Sequence, residues 1–313
     1  MSSPGAAKRI PVVSSLGRTA RLTWLELVKL VGHKLFPCIL GIVLVLTVGL
    51  GLVGKHFSQG GAAVKFSNYS LWVVSETYAL RIAIVLLTAL GAMAMASEAA
   101  ARTLNTMLAR PIRRLEFVLA KALSLVVASL VVVAVAAAAG YVVGGTVPDP
   151  STGGRVVVGT DGEPTWQGPS GWSLSYGDVV DPLYPDTVIA TRGEVTRTIL
   201  VGFLLLVVPT LAAVSVGFLL GTLIDSSGLA IGLSVGASVS LVLGEFFPLF
   251  VDYLGRYSCN SPVPKLATLM FNAGKGSPPV WGDALAGVWV SVVYIAVCVA
   301  ISFVVFCRRD VTL

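Results

Sequence analysis

Apolar residues in this chain gather into six long runs separated by polar segments. The runs cover residues 35–54, 76–96, 117–143, 198–221, 229–250 and 283–307. A hydrocarbon core about 30 Å thick takes roughly 20 residues of helix, each rising about 1.5 Å. Every run is long enough, so the pattern predicts six membrane-spanning helices. Ahead of the first run, the stretch GRTARLTWLELVKLVGHKLF changes period. Glu26, Lys29 and His33 fall three and four apart and make one polar stripe. Leu22, Leu25, Val28 and Leu35 lie off it, with Trp24 nearby. This predicts an amphipathic helix lying along the membrane interface; the alternative is a plain extension of the first span. Residues 144–197 are rich in Gly, Pro, Asp and Thr. Within them RVVVGTDGEPTW reads as two short strands around an Asp-Gly turn.

The chain therefore divides into an N-terminal arm (1–34), spans one to three (35–143), a loop region (144–197), and spans four to six with a short tail (198–313). An even number of spans puts both termini on one side. The segments on that side carry thirteen lysines and arginines, counting Lys121, against eight in the three longer loops opposite. Basic residues favour the cytoplasmic side, so both termini are expected in the cytoplasm of a multi-pass protein of the cell membrane.

Composition supports this class and removes others. The chain is 55% hydrophobic with a mean hydropathy of +0.87, which excludes an ordinary soluble domain. A net charge of +6 is then topological, and nucleic acid is not an expected partner. Of the four cysteines only Cys259 is expected in an external loop, so no disulfide framework follows. The arm shows no signal-peptide pattern, because no small-residue cleavage site follows a short apolar run.

Motifs for catalysis are missing. GLGLVGKH (49–56) fits the spacing of a phosphate-binding loop, but His56 stands where a magnesium-holding hydroxyl is required and no strand precedes it. Two histidines cannot make a histidine-rich metal site, and no hydrolase signature occurs. No catalytic residue and no metal ligand is assigned. DVVDPLYPD (178–186) is acidic enough to attract a divalent cation but fits no known loop spacing, and a solvated surface is the simpler reading. Charges within the runs are few. Glu76 and Arg81 near the external end of the second span, and Glu245 near that of the fifth, are candidates for a polar translocation path. They could equally snorkel to water. Gly228, Gly232, Gly236, Ser240 and Gly244 repeat every four residues along the fifth span. Such a ridge lets another helix approach closely, within one subunit or across a dimer. Pro209 predicts a kink in the fourth span.

The most charged stretch lies between the second and third runs: EAAARTLNTMLARPIRRLEFVLAK, residues 98–121. It predicts a short cytoplasmic helix over 98–110, opened by Ser97 or Glu98 and stopped by Pro111. Leu104, Met107 and Leu108 share one face; Arg102, Asn105 and Thr106 share another. Arg113 and Arg114 stand at the foot of the third span. A basic turn that only fixes topology is the plain alternative. The stretch resembles the ABC-2 type permeases, the membrane subunits of ATP-binding-cassette exporters. The matching residues are Glu98, Thr103, Leu104, Leu108, Pro111, Arg114 and Lys121, with Arg102 in place of the family's usual glycine. The ending FCRRDV resembles that family as well.

The resemblance implies a fold and a function. The fold would be an all-α polytopic membrane protein with six transmembrane helices, like a type V ABC exporter. It would carry an amphipathic N-terminal interfacial helix and a small external region with short strands. The function would be the permease subunit of an exporter. The 98–114 segment would couple to a separate ABC ATPase subunit, which holds the ATP and magnesium, so this chain would be no enzyme. Expected partners are that ATPase, a second copy of the chain or a related permease, membrane lipids, and an external partner at the 144–197 loop. The alternative is a polytopic assembly factor or enzyme acting through its external acidic loop.

Overall fold

The computed structural model of the protein describes residues 15–59, 67–100, 114–146, 155–158, 164–167, 176, 178–180, 188–244 and 257–308. Its helices in chain order are α1 (Ser15–Gly32), α2 (Leu35–Gln59), α3 (Asn68–Ala100), α4 (Arg114–Gly145), α5 (Arg192–Leu223), α6 (Ser227–Gly244), α7 (Pro262–Ala273) and α8 (Gly282–Arg308). Six of them, all but α1 and α7, are long and apolar enough to cross a membrane. The chain is a mostly helical, multi-pass membrane protein.

The predicted runs all fall on these six helices, but several boundaries move. The second span begins at Asn68, not Glu76, and the fourth begins at Arg192, six residues before its apolar run. The fifth ends at Gly244 in the described residues, so Glu245 and the rest of its run lie outside them. α5 continues through Pro209 as one helix. Its start is well specified: Thr191 accepts from the Glu194 amide while the Glu194 side chain returns to the Thr191 amide, a reciprocal cap.

α3 is the most buried span and the centre of the bundle. It packs most extensively on α5, and also on α2, α4 and α6. Ile84, Leu87 and Leu90 of α3 meet Ile199, Leu206 and Phe218 of α5 in one core. The two helices come close because of glycine. A Cβ on Gly217 would strike the Thr88 carbonyl, one on Gly221 the Ala92 carbonyl, and one on Gly91 the Val214 carbonyl. Here the missing side chains are a packing requirement.

α6 lies on α3 through Ala230, Ser234 and Ser238, with the Ser238 hydroxyl 3.4 Å from that of Thr88. The four-residue ridge is a different face. Gly228, Gly232, Gly236 and Ser240 are exposed, and a Cβ on any of the three glycines would meet no described residue within 4 Å. Only Gly244, at the end of the described helix, is buried.

The bundle has a terminal face and an opposite face. Phe306 near the end of α8 stacks on Phe117 near the start of α4, with ring centres 5.7 Å apart. That contact brings the last span's end beside the start of α4. At the opposite face, β1 (Arg155–Val158) pairs antiparallel with β2 (Pro164–Gln167), Val156 opposite Trp166. This agrees with the predicted strand pair. A second small ribbon joins β3 (Val179–Val180) to β4 (Val188–Ala190) across a bulge. The same loop region sends Tyr176 into the bundle. Its ring stacks on Tyr141 at 4.6 Å, its hydroxyl donates to the Tyr141 carbonyl at 2.8 Å, and it touches Tyr69 and Trp72. α7, which no apolar run predicted, packs against α5, α8 and α3 on that side.

Candidate functional site: a charge cluster at the terminal face

Lys121 sits in the second turn of α4, among apolar neighbours. Its side chain is 3% exposed, and its ammonium lies 5.1 Å from the centre of the Phe117 ring. A buried ammonium needs an acceptor for each of its three N–H bonds. Lys121 has three: Glu26 Oε2 at 2.9 Å, Glu98 Oε1 at 3.0 Å and the Ala94 carbonyl at 2.9 Å. Lys29, half exposed, closes the ring. It pairs with Glu26 Oε1 at 2.8 Å and with Glu98 Oε1 at 3.5 Å. Two lysines and two glutamates thus join α1, the end of α3 and the start of α4.

Each element supplies its charge for a local reason. On α1, Glu26 and Lys29 are one turn apart and face the bundle together with Leu30 and His33. The apolar residues Trp24, Leu25, Val28 and Val31 face away and are more than half exposed. No described side chain of α1 is fully buried. A helix in water would turn its apolar stripe inward; this one turns Glu26 and Lys29 inward. α1 is also distinct from the first span, because the helix breaks at His33 and Lys34. A hollow of about 200 Å³ beside the cluster is floored by Leu90 and Met93 of α3.

Burial alone would push the Glu26 carboxyl up, but Lys121 and Lys29 outweigh it and hold the group below its ordinary value. Burial acts downward on Lys29, and there Glu26 and Glu98 prevail, holding the ammonium above its ordinary value. The contribution of Glu26 is therefore present above its unfolded pKa and lost as pH falls through the lowered folded one. That of Lys29 is present below its unfolded pKa and lost as pH rises through the raised folded one. Protease cleavage of α1 should stay flat across about pH 6 to 9 and increase below about pH 4, while α3 and α4 remain intact. An α1 equally protected throughout would mean that charge does not hold it.

The other predicted site residues separate. Arg102, Thr103, Leu104, Met107, Leu108, Pro111 and Arg113 lie outside the described residues; of the predicted 98–110 helix only residues 98–100 are described, and these are the last residues of α3. Glu98 ends up in the cluster, and Arg114 opens α4. Glu76 is not at a helix end. It lies two turns inside α3, is 0% exposed, and neither carboxyl oxygen has a hydrogen-bond partner among the described residues. Arg81 points elsewhere, its guanidinium 5.5 Å from the ring centre of the exposed Tyr78. The expected end-of-span placement of Glu76 is thus corrected. The aromatic residues before it, Tyr69 and Trp72, pack inside the bundle and lengthen the helix. Sequence reasoning placed Glu26 in the interfacial stripe and Lys121 in the motif and the basic count, but did not join the two. The available signal was a lysine within an apolar run, since such a charge requires partners.

A search of curated proteins finds no match. Residues 42–312 match the model of a family described as "Protein of unknown function (DUF2705)", which covers five of the six spans in full and most of the first. The chain belongs to the DUF2705 family.

Proposed function

We propose that this protein is the permease subunit of an ABC exporter, with both termini in the cytoplasm. It would work with a separate ATPase subunit that binds ATP and magnesium. The observation that carries the reading is the ion pair between Glu98 and Lys121. These are the first and last residues of the permease-like segment, and they meet at 3.0 Å. A segment whose two feet are clamped together transmits a push instead of flexing. The same clamp holds Glu26, so force on residues 101–113 reaches α1, α3 and α4 as one body. The outward apolar stripe of α1 suits the acyl boundary of the inner leaflet, where α1 would slide as the clamp moves. The exposed ridge from Gly228 to Ser240 has the form of a contact with a second copy, and two copies would enclose the path.

The test is association. Leu104→Asp and Leu108→Asp in the full chain, co-expressed with the proposed ATPase subunit, should abolish co-purification while membrane insertion persists. Full retention of the ATPase by both variants would remove the coupling role from this segment.

A further inference from the structure

At the face opposite the termini, a groove of about 750 Å³ opens between three elements. β4 supplies Ile189 and Ala190, the first turns of α5 supply Arg197 and Val201, and the turn into α8 supplies Trp281. Arg197 makes no hydrogen bond or ion pair with any described residue. Glu194, one turn earlier and also in the groove wall, makes no ion pair with Arg197; its Oε2 is turned to the Thr191 amide at 3.2 Å and hydroxyl at 3.0 Å. Below Arg197 the same strip of α5 becomes purely apolar: Leu200 is 51% and Leu204 64% exposed. Within about three turns the surface passes from a second arginine, Arg192, through Arg197 to bare leucine. Because α5 is a membrane-spanning helix, this gradient lies along the membrane normal.

We propose that this groove, together with the adjoining open strip of α5 from Arg192 to Leu204 that shares Arg197 and Val201 with it, binds a phospholipid of the leaflet on that side. The lipid phosphate would sit against Arg197 and Arg192, and one acyl chain would run down Leu200 and Leu204. The chemistry selects this occupant. A planar guanidinium offers a phosphate two parallel N–H bonds, and at the edge of the hydrocarbon those bonds face little competition from water. Trp281 on the far wall is the ring type that settles at headgroup depth. A soluble anion would use the arginines and leave the leucine strip empty. A neutral diglyceride would use the strip and leave Arg197 unmatched.

The experiment uses the full chain in detergent, titrated with a phosphatidylglycerol carrying a photoreactive group beside the phosphate, with cross-links mapped to peptides. Cross-links are expected in 192–204 and 276–281. Arg197→Ala should weaken labelling there about tenfold, the loss of a charge-assisted hydrogen-bond pair, and Arg197→Lys should weaken it less. A 100-fold excess of unlabelled phosphatidylglycerol should compete, whereas diacylglycerol and inorganic phosphate should not. Competition by diacylglycerol would show that the headgroup contributes nothing, and competition by phosphate alone would reduce the groove to an ion site. Equal labelling of Arg197→Ala and the unaltered chain would overturn the proposal outright. Arg197 is exposed and unpaired, so both variants should keep the thermal stability of the parent.

Discussion

Lys121→Met should release α1 and lower stability by about 3 to 5 kcal/mol, the usual cost of breaking a buried ion pair from one side. The cost arises less from losing attraction than from what remains. Glu26 and Glu98 would face each other with only the half-exposed Lys29 between them, and the Ala94 carbonyl would lose its side-chain donor. The variant should melt earlier in detergent, and protease should reach α1. A triple variant separates structure from function. With Lys121, Glu26 and Glu98 all replaced by Met, the buried charges are gone, the half-exposed Lys29 can turn to water, and stability should largely return. Any activity that depends on the clamp should stay lost. A single variant with unchanged melting and an unchanged α1 digest would show that the cluster holds nothing.

Gly217→Leu should be the second severe change. The new side chain would begin where the Thr88 carbonyl stands, and a backbone oxygen on a buried helix cannot swing aside. α3 and α5 would have to separate along the largest helix contact of the bundle. Overpacking typically costs about 1 to 3 kcal/mol and more when backbone must move, so this value lies at the upper end. Gly232→Leu is the informative contrast. No described residue lies within 4 Å of its Cβ position, so the melting temperature of the isolated subunit should not change. Should Gly232→Leu nonetheless reduce assembly, the ridge contacts something outside the subunit. Equal thermal damage from both substitutions would contradict the packing described for α5 and α6.

These contrasts show which features could be read from sequence and which could not. Six spans were legible because apolar length is a local property, and the β1–β2 pair because valine runs around Asp-Gly are local as well. α7 was not legible. Its sequence, PVPKLATLMFNA, carries two prolines, which suggest a loop unless they open a helix, and here Pro262 is its first residue. The start of α3 was set too late because the apolar run was begun at Glu76, whereas Tyr176 arrives from the loop region and packs on Tyr69 and Trp72. The two small-residue patterns traded roles. The long ridge on α6 is the more conspicuous, yet the short Gly217–Gly221 step makes the tight seam, and no periodicity reveals which face meets a partner. The charge cluster was half legible: Glu98 and Lys121 stood in one motif, but Glu26 joins them from another part of the chain.

The cluster also sets an order of events during synthesis. Glu26 and Lys121 are 95 residues apart, and among the described residues of α1 no apolar side chain is fully buried to seat it earlier. When α1 emerges, Glu26 and Lys29 can satisfy only each other, one turn apart on their own helix. The helix must wait on the membrane surface while the first two spans are inserted, and it can lock only after the third span has brought Lys121 to the same face. Until then the terminal face is unfinished, and a chain halted before Lys121 would leave α1 open to proteases that survey incompletely made membrane proteins.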